Sequence, residues 1–278
     1  MVEIRKLGTM RFTVLLNVVL LALWSPSAGY SHEFWIAPQK YQVETGQDIA
    51  AHFVNGQNSR GGTLAWFNNR VARADVRLGN STQKLSGRSG DIPAIQTEVE
   101  GEGLVTLAVE TPFTSLTYRE VEKFANFVNH KDLKVDPAAQ QYPFKEAYSR
   151  HAKALIKLGH GRGSDAAMGL EIEFVALENP YTDNVSDGMD VQLLYKNKPR
   201  ANAQVEVYEL NSKNSVNLVV YRTDSNGKAT IKVRPGHRYL VDSVVLRDPS
   251  AETLKRFTGR TKIAYETVWA ALTFEVPQ

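Results

Sequence analysis

The feature that most limits the fold of this chain is a series of short apolar runs, each ended by glycine or by a polar turn. After residue 32 these runs recur at regular spacing, and the first two flank the turn around Gly46. Short runs bounded by turn residues are typical of β-strands in a sandwich or barrel. The predicted N-terminal strands are residues 41–43, 49–54, 64–67, 71–78, 95–99 and 104–109.

The same pattern of short apolar runs bounded by turn residues returns after residue 169. The segment Asp224-Ser-Asn-Gly227 contains Asn-Gly, which favours a tight hairpin, so residues 218–221 are predicted to pair with residues 229–233. About seven strands in this part of the chain indicate an immunoglobulin-like or transthyretin-like sandwich. The predicted C-terminal strands are residues 170–177, 191–195, 204–210, 218–221, 229–233, 239–246 and 268–276.

Between these regions the apolar period changes from strand-like to helical. Val121, Phe124 and Val128 recur at helical spacing, and a second set runs from Phe144 through His151. The sequence therefore predicts two amphipathic helices in residues 115–165. The second would carry a basic stripe, interpreted either as a solvated face or as a functional one, made of Lys145, Arg150, Lys153 and Lys157.

The first 31 residues have the three parts of a cleavable export signal. Arg5, Lys6 and Arg11 precede an apolar run at 14–24, and small residues follow up to Ser31. This run is too short to span a bilayer, which needs roughly 20 residues. We therefore expect a soluble, exported protein, located in a bacterial periplasm. The predicted organisation is a signal peptide at 1–31, a β-sandwich domain at 32–114, a helical linker at 115–165 and a second β-sandwich domain at 166–278.

Composition and missing motifs exclude several functions. The chain has no cysteine, so any bound metal must be held by imidazole, carboxylate or backbone nitrogen. The formal net charge is only +3, and most of that excess lies in the signal, which indicates neither a nucleic-acid partner nor membrane insertion after cleavage. We find no nucleophile elbow, P-loop, dinucleotide fingerprint or zinc-protease helix. The sequence favours a non-enzymatic protein.

The strongest chemical signal is a histidine directly after the predicted signal. A cut after Ser31 gives His32 a free amine, so that amine and imidazole together chelate a metal; a cut before Tyr30 gives Tyr-Ser-His, which suits square-planar Cu(II) or Ni(II). Glu33 can add an oxygen, and His52 can approach if its strand pairs with the N-terminal segment. The competing interpretation is that these histidines are ordinary solvated or strand residues. The predicted metals are Ni, Co or Cu.

Several segments resemble a bacterial periplasmic family, domain of unknown function 4198, associated with nickel and cobalt uptake transporters. The similarity spans essentially the whole mature chain. It implies a periplasmic accessory protein that binds a divalent transition metal and assists its uptake by a membrane transporter. The matching segments are His32-Glu-Phe-Trp-Ile-Ala-Pro38, Gly46, Arg70-Val71, Tyr148-Ser-Arg-His-Ala-Lys153, Leu170-Glu-Ile, Leu177-Glu-Asn-Pro-Tyr181 and Gly227.

Two other functions are compatible with the residues. A sandwich that binds carbohydrate or protein would use exposed aromatic side chains, and Trp35, Trp66 and Tyr181 are the candidates. A copper oxygenase built on a histidine brace would need His52 beside the amine and imidazole of His32. Placing these histidines in space decides between the metal hypotheses.

Overall fold

The protein is mainly β, as the sequence predicts. A computed structural model describes residues 33–278, so the predicted signal and His32 lie outside the described residues. The strands are β1 (Glu33–Pro38), β2 (Gln42–Val43), β3 (Ile49–Gln57), β4 (Arg60–Leu64), β5 (Arg73–Leu78), β6 (Ser81–Lys84), β7 (Ile95–Thr97), β8 (Gly103–Glu110), β9 (Thr114–Tyr118), β10 (Phe144–Leu158), β11 (Ile172–Ala176), β12 (Met189–Tyr195), β13 (Lys198–Pro199), β14 (Gln204–Leu210), β15 (Val216–Arg222), β16 (Lys228–Ile231), β17 (His237–Arg247) and β18 (Ile263–Val276).

The described strands form three sheets. The central sheet has ten strands and runs β15-β14-β17-β18-β10-β8-β5-β6, with β2 and β9 also paired to β10. An N-terminal sheet contains β1, β3, β4 and β7, and a C-terminal sheet contains β11, β12, β13 and β16. Most pairs are antiparallel, whereas β10 pairs in parallel with both β18 and β2.

The two smaller sheets cover opposite faces of the central sheet. Leu240 and Ala271 of the central sheet pack in the cluster that contains the N-terminal sheet. Their neighbours Val241, Ala270 and Leu272 pack in the cluster that contains the C-terminal sheet. Because successive strand residues point to opposite faces, the central sheet is buried on both sides over this region. The layers therefore make two sandwiches that share one sheet.

A helix covers the rest of the face that packs on the N-terminal sheet. The sequence predicts this helix, α1 (Val121–His130), and the prediction is confirmed. Phe124 and Phe127 of α1 pack with Trp269 and Val244 of the central sheet in an aromatic cluster. A second helix, α2 (Ala251–Arg256), joins β17 to β18. Within residues 33–278, no helix is long and apolar enough to cross a membrane.

The division into two separate sandwich domains is not confirmed. The central sheet takes β5 and β8 from the predicted N-terminal domain, β10 from the predicted linker, and β14 and β17 from the predicted C-terminal domain. The predicted boundaries near residues 114 and 165 therefore separate strands that belong to the same sheet.

The second predicted helix of the 115–165 segment is wrong, because this stretch is the 15-residue strand β10. One edge of β10 pairs with β18 and then with β2, and the other edge pairs with β9 and then with β8. Both faces are buried, so the alternation of a half-exposed strand is lost. Lys153 of the predicted basic stripe is fully buried, and the stripe is not a solvated helix face.

The predicted hairpin between residues 218–221 and 229–233 is also wrong. The turn itself forms: Gly227 donates its backbone N–H to the carbonyl oxygen of Asp224 at 3.1 Å and has a φ of +72°. The strands on either side then separate, since β15 pairs with β14 in the central sheet and β16 pairs with β12 in the C-terminal sheet. This turn connects two layers of the fold.

Candidate functional site

The candidate site lies where the first strand meets the end of the first helix. Glu33 opens β1, and Lys131 is the residue that caps the C-terminus of α1. Glu206 of β14 and Asp242 of β17 are register partners in the central sheet beneath them. The fold therefore brings three acidic side chains, all buried, around one buried lysine. We call Glu33, Glu206, Asp242 and Lys131 the acidic cluster.

Lys131 provides the positive charge in this cluster. Its Nζ lies 2.8 Å from Glu206 Oε2, 2.9 Å from Asp242 Oδ2 and 3.6 Å from Glu33 Oε1. The ammonium also lies 4.8 Å from the centre of the Trp269 ring, a cation–π contact. The negative end of the α1 dipole favours a cation at this position as well.

Burial and charge shift the pKa values in the cluster in different directions. Burial disfavours the Lys131 ammonium, but the charges of Asp242, Glu206 and Glu33 outweigh it and raise the pKa of Lys131. Burial raises the pKa of Asp242, although Lys131 opposes this. Burial alone would raise the pKa of Glu206, but His130 and Lys131 lower it. The cluster therefore keeps Glu206 ionised, and Asp242 accepts a proton more readily than Glu206.

His130 connects the acidic cluster to solvent. It is the last residue of α1, and its Nε2 lies 3.4 Å from Glu206 Oε1. Its side chain is 45% exposed, whereas that of Glu206 is 1% exposed. The contact with Glu206 raises the pKa of His130. An imidazole and a carboxylate thus face each other at the entrance to the cluster.

One oxygen of the cluster is unsatisfied. Glu33 is 2% exposed, and its Oε2 has no hydrogen-bond partner among residues 33–278. The other oxygen, Oε1, lies 3.2 Å from the hydroxyl of Tyr208. Buried polar atoms without a partner are rare in folded proteins and indicate a ligand, a water or another missing group. One ligand atom from each of Glu33, Glu206 and Asp242 lies within 4.8 Å of the others, close enough to share a cation.

The structure separates the predicted metal ligands. Glu33 lies in the acidic cluster, but His52 pairs with Ala37, while Glu33 pairs with Gly56 at the other end of β3. His52 is four residues along the strand from Gly56, which corresponds to about 13 Å. Its Nε2 lies 3.1 Å from the Gln39 amide nitrogen. The predicted approach of His52 to the N-terminal end of β1 is therefore wrong, so His52 does not lie beside Glu33.

The three aromatic residues proposed for the alternative function lie in different places. Trp35 and Trp66 are buried and line separate cavities. The indole nitrogen of Trp66 donates to Asn68 Oδ1 at 2.8 Å, and Tyr181 donates its hydroxyl to the Leu155 carbonyl at 2.7 Å. These side chains stabilise the interior and do not form a shared aromatic platform.

Four residues of the site are absent from the sequence prediction. Glu206 alternates with apolar residues, a pattern that a solvated strand face shares, and Asp242 lies between Val241 and Ser243 with no alternation. Lys131 and His130 carry a weak signal, since basic residues are common in the last turn of a helix. Their proximity to Glu33 depends on tertiary structure.

The fold and the site define a class: a mainly β protein of three packed sheets, with buried carboxylates and a lysine between its first strand and its first helix. Residues 29–246 match the family described as Domain of unknown function (DUF4198), and the chain belongs to that family. No curated protein matches the sequence. The D0-D1 domain of Intimin is a similar solved structure at 15% identity, with 86% of this chain and 97% of that chain covered and a TM-score of 0.19.

Proposed function

We propose that this protein is an exported, non-enzymatic accessory protein that binds a divalent transition metal ion, Ni, Co or Cu, beside the acidic cluster. The observation that carries the proposal is the unpartnered oxygen Oε2 of Glu33, buried among two further carboxylates. The residue before Glu33 is His32, whose α-carbon is one peptide unit, about 3.8 Å, from that of Glu33. Any metal-binding nitrogen that His32 supplies therefore belongs to the residue bonded directly to Glu33.

The donor atoms fit this class of metal. Ni(II), Co(II) and Cu(II) accept imidazole nitrogen and carboxylate oxygen, and the chain has no thiolate to offer. Glu33 and His130 are the candidate ligands among the described residues, and Glu206 contacts both His130 and Lys131. Since the Lys131 ammonium already bonds to Glu206 and Asp242, it competes for their oxygens. We therefore assign His32, Glu33 and His130 to the metal and assign Glu206 to orienting His130.

The biological role in the proposal comes from the resemblance to proteins associated with nickel and cobalt uptake. After export to the periplasm, the protein would capture the ion and pass it to a membrane transporter. A site near the entrance of the cluster, with a half-exposed His130, suits the release of a metal better than a fully enclosed cage.

Isothermal titration of Ni(II), Co(II) and Cu(II) tests this function on protein that begins at His32. We expect one-site binding by the unmodified chain. Glu33→Gln and His130→Gln are each expected to weaken binding by about 10- to 100-fold, the range found for residues that hold or orient metal ligands. Adding one residue before His32 is expected to weaken binding as well, because it removes the chelating amine.

Glu102 and His160 provide matched controls. They are also a neighbouring carboxylate and imidazole, with Oε2 and Nε2 3.9 Å apart, but both are exposed. Glu102→Gln and His160→Gln are expected to keep the affinity of the unmodified chain. The proposal fails if none of the three ions binds at micromolar concentration, or if Glu33→Gln binds as tightly as Glu102→Gln.

A further inference from the structure

A further cavity lies beside β1, and none of the residues of the acidic cluster line it. Its volume is about 650 Å³, within the range of 300–1,000 Å³ that is typical of small-molecule sites. It opens between the N-terminal sheet and the strands that follow β8. Phe34 and Phe53, both buried, form part of its wall, with ring centroids 5.5 Å apart.

The charges of this cavity have one sign. Among the described residues that line it, three are arginines and none is acidic. The arginines come from separate parts of the chain: Arg70 precedes β5, Arg150 lies in β10, and Arg256 ends α2. The fold therefore collects three guanidinium groups around one apolar space.

Each guanidinium is held beside an aromatic ring. Arg150 lies 4.4 Å from the ring centre of Tyr148, which also lines the cavity. Arg70 lies 5.3 Å from Phe67, and Arg256 lies 5.7 Å from Phe257. Stacking on a ring leaves the guanidinium edges of Arg70 and Arg256 able to donate hydrogen bonds, and the planar fork of arginine matches carboxylate and phosphate groups.

We infer that this cavity binds a small organic anion that combines an apolar or aromatic body with a carboxylate, phosphate or sulfonate group. The body contacts the walls that include Phe34, Phe53 and Phe113, and the anionic group accepts hydrogen bonds from Arg70 and Arg256 near the mouth. Apolar walls with a few convergent polar groups are the usual design of a ligand site. The inference does not depend on metal binding, since the acidic cluster uses other side chains.

The probe for this site is 8-anilinonaphthalene-1-sulfonate, an aromatic anion whose fluorescence rises in an apolar environment. We expect saturable one-site binding to the folded protein, displaced by benzoate and not by benzyl alcohol, which has the same ring without the charge. Displacement by inorganic phosphate as well would identify the anionic group as the main determinant, in support of the inference.

Substitution of the arginines tests whether their charges bind the probe. Arg70→Gln and Arg256→Gln are each expected to weaken probe binding by about tenfold, the loss expected for one charge-assisted hydrogen bond. Both residues are exposed, so the variants are expected to keep the thermal midpoint of the unmodified protein. Arg88→Gln is the matched control, because the Arg88 side chain is 93% exposed and does not line the cavity.

Two results would overturn the inference. One is probe binding that stays unchanged in the Arg70→Gln/Arg256→Gln double variant. The other is equal displacement by benzoate and benzyl alcohol, which would show that the cavity recognises apolar surface alone. Isothermal titration of benzoate into the unmodified protein and the double variant provides a second measurement that does not depend on fluorescence.

Discussion

Replacing Lys153 by methionine is expected to lower the free energy of unfolding by about 3–5 kcal/mol, the cost of removing one partner from a buried ion pair. Lys153 is fully buried in β10. Its Nζ donates to Asp165 Oδ2 and to the carbonyl oxygens of Ala166 and Phe174, each at 2.9 Å, and lies 3.5 Å from Glu173 Oε2. Methionine fills similar space but leaves the two carboxylates without their cation.

The loss is large because Asp165 and Glu173 organise the segment that leads from β10 into the C-terminal sheet. Asp165 accepts from the Ala176 amide at 3.0 Å. Glu173 accepts from the backbone amides of Met168, Gly169 and Leu170 at 2.8–3.1 Å. A chain of this size loses roughly 2–4 °C in thermal midpoint per kcal/mol, so we expect a decrease of about 6–20 °C.

Lys157→Met is the matched control, because Lys157 lies four residues along the same strand and is half-buried. It is expected to change stability by about 0.5 kcal/mol or less, as for most surface substitutions. Urea unfolding followed by circular dichroism measures both variants. A second variant, Lys153→Met with Asp165→Asn, is expected to recover part of the loss by removing one of the unpaired charges. Equal losses in Lys153→Met and Lys157→Met would contradict this explanation.

The environment of Lys153 also shows why the sequence of β10 predicts a helix. The residues of β10 include many good helix formers, and the apolar positions of β10 fit a helical period as well as a strand period. The strand pairs on both edges and is covered on both faces, so two of its charged residues, Glu146 and Lys153, are buried with partners elsewhere in the sequence. Tertiary pairing of this kind leaves no local pattern, whereas short strands such as β3 are indicated by the turn residues that bound them.

The sequence also predicts only part of the candidate site. The position of Glu33 next to His32 makes it a candidate ligand, and it lies in the acidic cluster. His52 is a candidate because its strand follows the first turn, but antiparallel pairing places the start of β1 opposite the end of β3. Glu33 therefore faces Gly56 and the α1 C-terminus. The positions of Glu206 and Asp242 follow from strand order in the central sheet, which local sequence does not encode.

The last prediction concerns Glu146, a buried carboxylate outside both proposed sites. It is fully buried in β10, accepts a hydrogen bond from Thr267, and its Oε2 has no hydrogen-bond partner among the described residues. Burial raises the pKa of Glu146 to about 7 from an ordinary 4.5, although the Thr267 hydrogen bond lowers it. Glu146 therefore keeps its proton in the folded protein under conditions in which the unfolded chain loses it.

The sign of the pH dependence follows from this difference. Below pH 4.5 both states are protonated, so Glu146 causes no loss of stability. Between pH 4.5 and about 7 the unfolded chain releases the proton first, so stability falls by roughly 1.4 kcal/mol per pH unit, about 3 kcal/mol in all. Glu146→Gln keeps a neutral side chain of the same shape. It is therefore expected to be about 2–3 kcal/mol more stable than the unmodified protein at pH 8 and nearly equal to it at pH 4.5.

Urea unfolding at pH 4.5, 6 and 8 measures this difference, with Glu100→Gln as the control because Glu100 is exposed. The control is expected to follow the unmodified protein at every pH, since water solvates its carboxylate in both states. A Glu146→Gln variant that is less stable than the unmodified protein at pH 8 would mean that the ionised carboxylate is stabilised where it lies. In that case the hydrogen bond from Thr267 would outweigh burial, and Glu146 would be ionised in the folded protein at pH 8.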